Sequence, residues 1–274
     1  MKLVLDLSYP KLPKLFWVVL LLACLLVIIR QLPVSWVSGV LASQTNCRVI
    51  LQQPTGTIWE GSAALGFSEA NAAEGGCRPP AAVTERFQWV STCKITSLSC
   101  GTEIRYAALD KSQVIEWALK KTQIAANEIK LPANILEGLG NPWSTLRPRG
   151  ELIGRWTDLN LPGLLGAGSA IGSNGNPKGG FSGVIRIIIN NLSSPISPVK
   201  PLGAYEILAN IGDDGLNWNV STTSGPLLLR GQGDTKAGMH FSGEASASPE
   251  AQESLVGLLS LLGKKDGDAY RLKF

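Results

Sequence analysis

Residues 181–190 read FSGVIRIIIN, and they form the clearest strand signal in the chain. Five of the six residues from Val184 to Ile189 are β-branched. Branching at Cβ restricts the side chain in a helix and suits the pleated surface of a sheet. The stretch therefore predicts a strand, and the segments on either side extend the pattern.

Four further segments of this type follow, at spacings of roughly ten residues, as expected for antiparallel strands joined by tight turns. Each is bounded by Gly, Asp or Asn, and they cover residues 205–211, 216–222, 226–231 and 239–245. Upstream, residues 150–159 place Leu152, Gly154 and Trp156 on one side of a strand. Thirty glycines and sixteen prolines agree with many turns. The sequence predicts a mainly β protein built as an antiparallel meander.

The first half carries shorter strand patterns. Alternation of apolar and polar residues predicts strands at 47–52, 56–67, 86–90 and 103–107. Residues 68–85 are small and polar and predict a loop, and residues 164–180 predict a connector rich in Gly, Ser and Asn. Trp59 and Trp89 are expected in the core or at the edge of the sheet.

A few short helices are expected among the strands. Asp110 and Gln113 fit a capping box for a helix over residues 110–122, with Val114, Trp117 and Ala118 on one face. Residues 132–138 predict a short helical piece. After Ser248 and Pro249, a last helix ends at Gly263, and we expect its leucine stripe to pack on a sheet.

Four of the five cysteines lie outside the apolar N-terminal run, and an even number fits a disulfide framework in an oxidising compartment. Four cysteines allow three pairings. We favour Cys93 with Cys100, which could face each other across a hairpin, and this leaves Cys47 with Cys77.

The N-terminal run from Leu15 to Ile29 contains no charged residue, and it predicts a transmembrane anchor over residues 15–36. Trp17 and Trp36 fit aromatic anchors at the membrane interfaces. Lys2, Lys11 and Lys14 precede the run, so residues 1–14 are expected in the cytoplasm and residues 40–274 in the periplasm. Within the periplasmic part, two halves could divide near residue 140.

Two other interpretations of this run are less favoured. A cleaved signal peptide needs small residues after the apolar core, and residues 30–33 (RQLP) offer none. Residues 21–24 (LLAC) resemble a lipoprotein processing site, but the apolar run continues beyond Cys24 to Ile29. A retained anchor explains the run better.

Composition argues against enzymes and nucleic-acid binding. The net charge is +4 with scattered basic residues, which is not the footprint of a nucleic-acid-binding protein. The one histidine, His240, lies in a strand pattern, and the sequence offers no catalytic constellation, metal site or cofactor motif. Glu60, Glu151 and Glu244 are isolated on predicted strands and are expected to face solvent.

Several motifs in a fixed order give the chain a family resemblance. The anchor is followed by LPVSW (32–36), GTIWEG (56–61), GEL (150–152), LGAY (202–205), GPLLLRGQG (225–233) and FSGEA (241–245). In this order and spacing, the chain resembles protein N of the bacterial type II secretion system, also called general secretion pathway protein N. Its family-motif residues here are Gly56, Trp59, Gly61, Gly225, Pro226, Leu227 and Gly231.

The resemblance implies a single-pass protein of the bacterial inner membrane, associated with the machinery that exports folded proteins. Other inner-membrane or outer-membrane secretion components are its expected partners. The family also looks related to AsmA-like proteins, so the resemblance implies a curved antiparallel sheet forming an open barrel or groove. Two functions follow: an assembly component that could bind partners along exposed strand edges, and, as the alternative, a module that binds lipid or another apolar ligand.

Overall fold

The computed structural model describes residues 14–68, 72–73, 76–77, 79–80, 82–94, 96–140, 143–163, 180–212, 215–235 and 240–273. The expected cytoplasmic residues before Lys14 and most of the 164–180 connector lie outside these ranges. Two 3-10 helices cover Ala133–Leu139 and Pro249–Ala251. The α-helices are α1 (Lys14–Arg30), α2 (Val34–Gln44), α3 (Trp143–Leu146) and α4 (Gln252–Leu262).

The apolar N-terminal run forms α1, but this helix stops at Arg30. Residues 15–36, which the sequence predicts as the anchor, are therefore divided between two helices, because Pro33 has no N–H to continue α1 and α2 starts directly after it. Among the described helices, none combines the length and apolar character needed to cross a membrane.

The remainder is mainly β, as predicted. The strands are β1 (Val49–Gly56), β2 (Glu60–Phe67), β3 (Ala72–Ala73), β4 (Gly76–Cys77), β5 (Ala82–Lys94), β6 (Ser99–Arg105), β7 (Gln113–Ala118), β8 (Lys121–Ile124), β9 (Asn127–Pro132), β10 (Arg149–Trp156), β11 (Leu159–Pro162), β12 (Gly183–Ser193), β13 (Gly203–Gly212), β14 (Gly215–Ser224), β15 (Leu227–Asp234), β16 (His240–Ala247), β17 (Lys264–Asp266) and β18 (Ala269–Lys273).

These strands form two large antiparallel sheets and the small hairpin β3–β4. The first sheet has the order β1-β2-β5-β6-β7-β8-β11, and the second has the order β17-β18-β16-β15-β14-β13-β12-β10-β9. Neighbours in sequence are mostly neighbours in space, so the meander predicted from residue 150 onward is confirmed. Within the described ranges, β1 and β17 stay unpaired with each other, and the sheets do not close into a barrel.

One long hairpin joins the two sheets. Its inner part pairs β9 with β10, and its outer part pairs β8 with β11. Trp156 faces Asn127 and Leu159 faces Ile124, so each strand passes from one sheet to the other over the same number of residues. The two halves of the hairpin therefore share one register. The ladder of backbone hydrogen bonds is interrupted between them, but the pairing of residues is not shifted.

Side chains replace the backbone bonds lost at this interruption. Asp158 Oδ1 accepts a hydrogen bond from the Ala126 N–H at 2.8 Å, and the Trp156 indole donates to the Ala125 carbonyl at 3.0 Å. Gln113 donates to the same carbonyl at 2.9 Å. Buried backbone groups need partners, and these three side chains supply them where the sheets meet.

Two sequence predictions in the first half are wrong. Residues 110–122 form no helix: they contain the strand β7 and the beginning of β8. Ile115 and Trp117 lie at strand spacing, and pairing of β7 with β6 and β8 overrides the helical spacing of Val114, Trp117 and Ala118. The predicted loop at 68–85 contains the β3–β4 hairpin and the start of β5.

The main core lies between the second sheet and α4. The predicted stripe is confirmed, because Leu255, Leu258 and Leu259 are buried against sheet residues. Tyr205 on β13 is 2% exposed, and its hydroxyl lies 2.9 Å from the Leu227 carbonyl and 3.2 Å from the Leu202 carbonyl. Burial raises the pKa of the Tyr205 phenol far above its usual range, so the hydroxyl is neutral throughout the physiological range and acts as a donor.

Two disulfides brace the first half. Cys47 is joined to Cys77, which links the turn just before β1 to β4, and Cys93 is joined to Cys100 across the β5–β6 hairpin. The remaining cysteine in the described residues, Cys24, is an exposed free thiol on α1.

We expect the two disulfides to differ in their effect on stability. The bridges close loops with sequence separations of 30 and 7 residues. Loop entropy predicts about 3.5 kcal/mol for Cys47–Cys77 and about 2.5 kcal/mol for Cys93–Cys100. Urea unfolding in detergent should therefore show a larger loss of stability for Cys47→Ser/Cys77→Ser than for Cys93→Ser/Cys100→Ser.

The variant Cys24→Ala is the control, because it removes a thiol that closes no loop, and its unfolding midpoint should match that of the wild type. An equal loss for both double variants would contradict the loop-entropy account.

The Tyr205 hydroxyl should contribute measurably to the free energy of unfolding at neutral pH. Its raised pKa should also make this free energy fall at alkaline pH. Tyr205→Phe removes its hydrogen bond to a buried carbonyl, and we expect a loss of about 1 kcal/mol at pH 7. Above the ordinary tyrosine pKa of about 10, the unfolded chain loses this proton while the folded chain retains it. Wild-type stability should then fall by up to about 1.4 kcal/mol per pH unit from this group.

Unfolding titrations between neutral and alkaline pH measure both effects. The alkaline slope of the Tyr205→Phe variant should be smaller than that of the wild type. An unchanged slope would mean that other groups set the alkaline limit.

Candidate interaction site

The first group of family-motif residues forms a tight turn between β1 and β2. Gly56 has φ +91°, a conformation that side chains disfavour. The Thr57 N–H donates to the Glu60 carbonyl at 2.8 Å, and the Thr57 hydroxyl accepts from the N–H groups of Trp59 and Glu60 at 3.2 Å. The turn is therefore closed by its own residues, and it projects Ile58 and Trp59 toward the N-terminal helices.

This turn holds the end of α1. The Trp59 indole donates to the Ile29 carbonyl at 2.8 Å, and the Ile58 N–H donates to the Leu32 carbonyl at 3.0 Å. The last carbonyls of a helix lack partners within the helix, and Trp59 provides one. Its ring also stacks on Trp117 with ring centroids 6.5 Å apart.

The chain after α1 is fixed to the first sheet as well. Pro33 forms a bridge with Thr57, and Val34 is 4% exposed in a cluster with Ala63 and Trp89. Gly61 makes room for this cluster, because a Cβ atom there would lie 2.6 Å from the Trp89 ring. Hydrogen bonds and a small apolar core thus join the N-terminal helices to the first sheet. We call this contact region, residues 29–34 with 57–61, the α1–sheet joint.

A cleft of about 560 Å³ lies beside this joint. Leu26, Ile29, Trp59 and Val90 supply apolar walls, and Arg30 also lines the cleft. Glu60 also lines the cleft, and its exposed side chain agrees with the sequence prediction. One guanidinium and one carboxylate among apolar walls suit binding of an amphipathic surface.

The second group of motif residues lies in the other sheet, at the β14–β15 hairpin. Gly225 has φ +113°, and a Cβ atom there would lie 2.2 Å from the Gly203 Cα. Leu227 is buried beside Tyr205 in the main core. Pro226 is half-buried at the turn, and a Cβ atom on Gly231 would lie 2.5 Å from the Phe241 ring.

The structure does not bring the two groups of motif residues together, because each serves its own sheet. Gly56, Trp59 and Gly61 shape the α1–sheet joint, whereas Gly225, Pro226, Leu227 and Gly231 shape the packing of the second sheet. Glu151 and Glu244 are exposed on their strands, as predicted, and His240 is exposed at the start of β16. No cluster of three potential metal ligands occurs in the part of the chain that the structure describes.

A buried polar cluster at the sheet junction was not predicted from the sequence. Asn127 donates to the Gln113 side chain at 3.1 Å and to the Lys111 carbonyl at 2.9 Å. Nearby, a hydrogen bond from Arg155 lowers the pKa of the half-buried Glu128 carboxyl. A polar residue in place of an apolar one within a strand pattern is the signal that could have indicated Gln113 and Asn127.

Comparison with known proteins identifies the family. The family model for type II secretion system protein N matches residues 48–273 of the 274-residue chain. No curated protein and no solved structure matches the chain. The family match takes in all eighteen strands of the described residues, both groups of motif residues and α4. The chain therefore belongs to the type II secretion system protein N family.

Proposed function

We propose that this protein is a non-enzymatic assembly or interaction component of the type II secretion system, anchored in the bacterial inner membrane by α1. Its two-sheet body then lies in the periplasm and its N-terminus in the cytoplasm. Other inner-membrane or outer-membrane components of the system are its partners. The observation that carries the proposal is the apolar helix α1, whose large apolar side chains are exposed in the part of the chain that the structure describes, in a chain of this family.

The side chains of α1 support an anchor. Its large apolar side chains from Phe16 to Ile29 are between 38% and 70% exposed. Surfaces of this kind mark contact with a membrane or with another protein. The 17 residues of α1 extend about 25 Å at a rise of 1.5 Å per residue, a little less than a hydrocarbon core of about 30 Å. A span slightly shorter than the bilayer is accommodated by local thinning and by flanking basic residues.

The two disulfides support a periplasmic body, since stable disulfides belong to oxidising compartments. The lysines before the apolar run support the same orientation through the excess of basic residues on the cytoplasmic side.

The four edge strands of the two large sheets do not favour partner contacts through strand edges. Two of them, β9 and β11, already form bridges with Leu109 and Ser182. The edge strand β1 contains Pro54 and a register shift between Gln52 and Thr55. At one edge of the second sheet, β17 has three residues, two of which are Lys264 and Lys265. Proline, bulges and lysines on edge strands prevent pairing with another chain. We therefore infer that side-chain surfaces, with the α1–sheet joint among them, make the partner contacts.

A cavity beside the second sheet bears on the alternative function, the binding of lipid or another apolar ligand. A wholly apolar cavity lies between the second sheet and α4, lined by residues such as Tyr205, Leu227 and Leu258. Its volume is about 100 Å³, whereas ligand pockets typically measure about 300 Å³ or more. An acyl chain does not fit this volume, so this cavity gives no support to the alternative function.

Charges placed in α1 should release the protein from the membrane. Each lysine at the centre of a spanning helix costs about 3 kcal/mol, so Leu22→Lys/Leu25→Lys should shift the protein from the membrane pellet to the supernatant after alkaline carbonate extraction. The matched control is Val256→Lys/Leu261→Lys, which places two lysines at exposed positions of α4 and should stay in the pellet.

Two further measurements test orientation and partners. In a Cys24→Ala background, Thr223→Cys should react with a membrane-impermeant maleimide in cells whose outer membrane alone is permeabilised. Wild-type protein purified in mild detergent should bring other secretion components with it. Labelling of Thr223→Cys only after lysis of the inner membrane, or purification without any secretion component, would contradict the proposal.

A further inference from the structure

The helix α2 exposes an apolar stripe to its surroundings. Trp36 is 66% exposed and Val40 is 60% exposed, and Val37 is exposed beside them. Residues three and four apart lie on the same side of a helix. Val40 is three residues from Val37 and four from Trp36, so these three side chains form one surface. We call it the α2 stripe (Trp36, Val37 and Val40).

The opposite side of α2 packs on the first sheet. Val34 is buried in the cluster with Ala63 and Trp89, and Leu41 and Ala42 are half-buried. The Leu41 carbonyl accepts hydrogen bonds from the Thr45 N–H and hydroxyl at the end of the helix. Because the inner side is fixed in this way, α2 cannot rotate to bury its stripe within the protein.

The α2 stripe follows the exposed apolar residues of α1 closely in the sequence. Gln31, Leu32 and Pro33 separate the two helices, and the α1–sheet joint fixes this connection. No charged residue occurs between Arg30 and Arg48, so no charged group in this segment opposes entry into a less polar environment. Tryptophan is the side chain most typical of the boundary between bilayer and water.

We propose that α2 lies in the headgroup region of the bilayer that holds α1, with Trp36, Val37 and Val40 directed into the lipid. This inference rests on the proposed anchor. A helix in this position takes its apolar side to the level of the upper acyl chains, while its other side carries the first sheet. The body is thereby held against the membrane surface at two places, α1 and α2.

Spin labels on full-length protein test this arrangement. Val40→Cys, Leu22→Cys and Thr223→Cys, each in a Cys24→Ala background, are labelled with a nitroxide and reconstituted into phosphatidylethanolamine and phosphatidylglycerol vesicles. Oxygen concentrates in the bilayer, and a neutral nickel chelate stays in water. We expect the labels at positions 22 and 40 to collide more with oxygen and the label at position 223 more with nickel. Val37→Cys repeats the measurement if Val40→Cys does not fold.

The outcomes separate the inference from the proposed function. If position 22 favours oxygen while positions 40 and 37 favour nickel, α1 is an anchor and the inference about α2 is wrong. If position 40 is shielded from both reagents, protein covers the α2 stripe and the inference is wrong as well. If position 22 itself favours nickel, the proposed anchor fails and the inference fails with it.

Discussion

The fold depends on the shared register of one hairpin, formed by residues 121–132 and 149–162. Its two halves belong to different sheets, yet the pairing resumes without a shift after the interruption. In a strand, a slip by one residue would exchange its two faces and bury its polar residues. Asp158, Trp156 and Gln113 hold the interruption by bonding the free backbone groups of Ala125 and Ala126. The same two chain segments can therefore contribute strands to both sheets, and the apolar side chains stay on the apolar face of each sheet.

The apolar faces of the two large sheets are covered in different ways. The second sheet is covered by α4, which buries Leu255, Leu258 and Leu259 against it. The first sheet has a smaller core around Val34 and Trp89. One disulfide, Cys93–Cys100, lies within this sheet, and the other, Cys47–Cys77, joins the residues just before β1 to the β3–β4 hairpin. Cross-links are typical where a hydrophobic core is small. The covalent bridges thus lie within or beside the sheet that has the smaller buried core, and the same sheet holds the N-terminal helices.

Much of the second sheet and its helix can be predicted from the sequence, because burial on one face imposes a simple period. Ile187 and Ile189 alternate toward the core with Arg186 on the other face. The first sheet is harder to predict, since Trp117 fits helical and strand spacing equally and pairing with a distant strand decides between them. The candidate site is harder still. The Trp59 indole donates a hydrogen bond to a backbone carbonyl 30 residues away. A backbone acceptor of this kind cannot be recognised from the pattern of side chains in the sequence.

The fixed joint between α1 and the first sheet has a consequence for how the protein meets other molecules. A flexible linker would let the body sample a wide volume around its attachment point, with an effective concentration set by linker length. Here the Leu32 carbonyl and the Ile29 carbonyl are both bonded to the sheet, and no such linker exists between Arg30 and Val34. An anchored protein of this kind would then search for a partner only by lateral diffusion in the membrane and by rotation about the membrane normal. The height and tilt of its binding surface relative to the membrane would be fixed before it meets a partner.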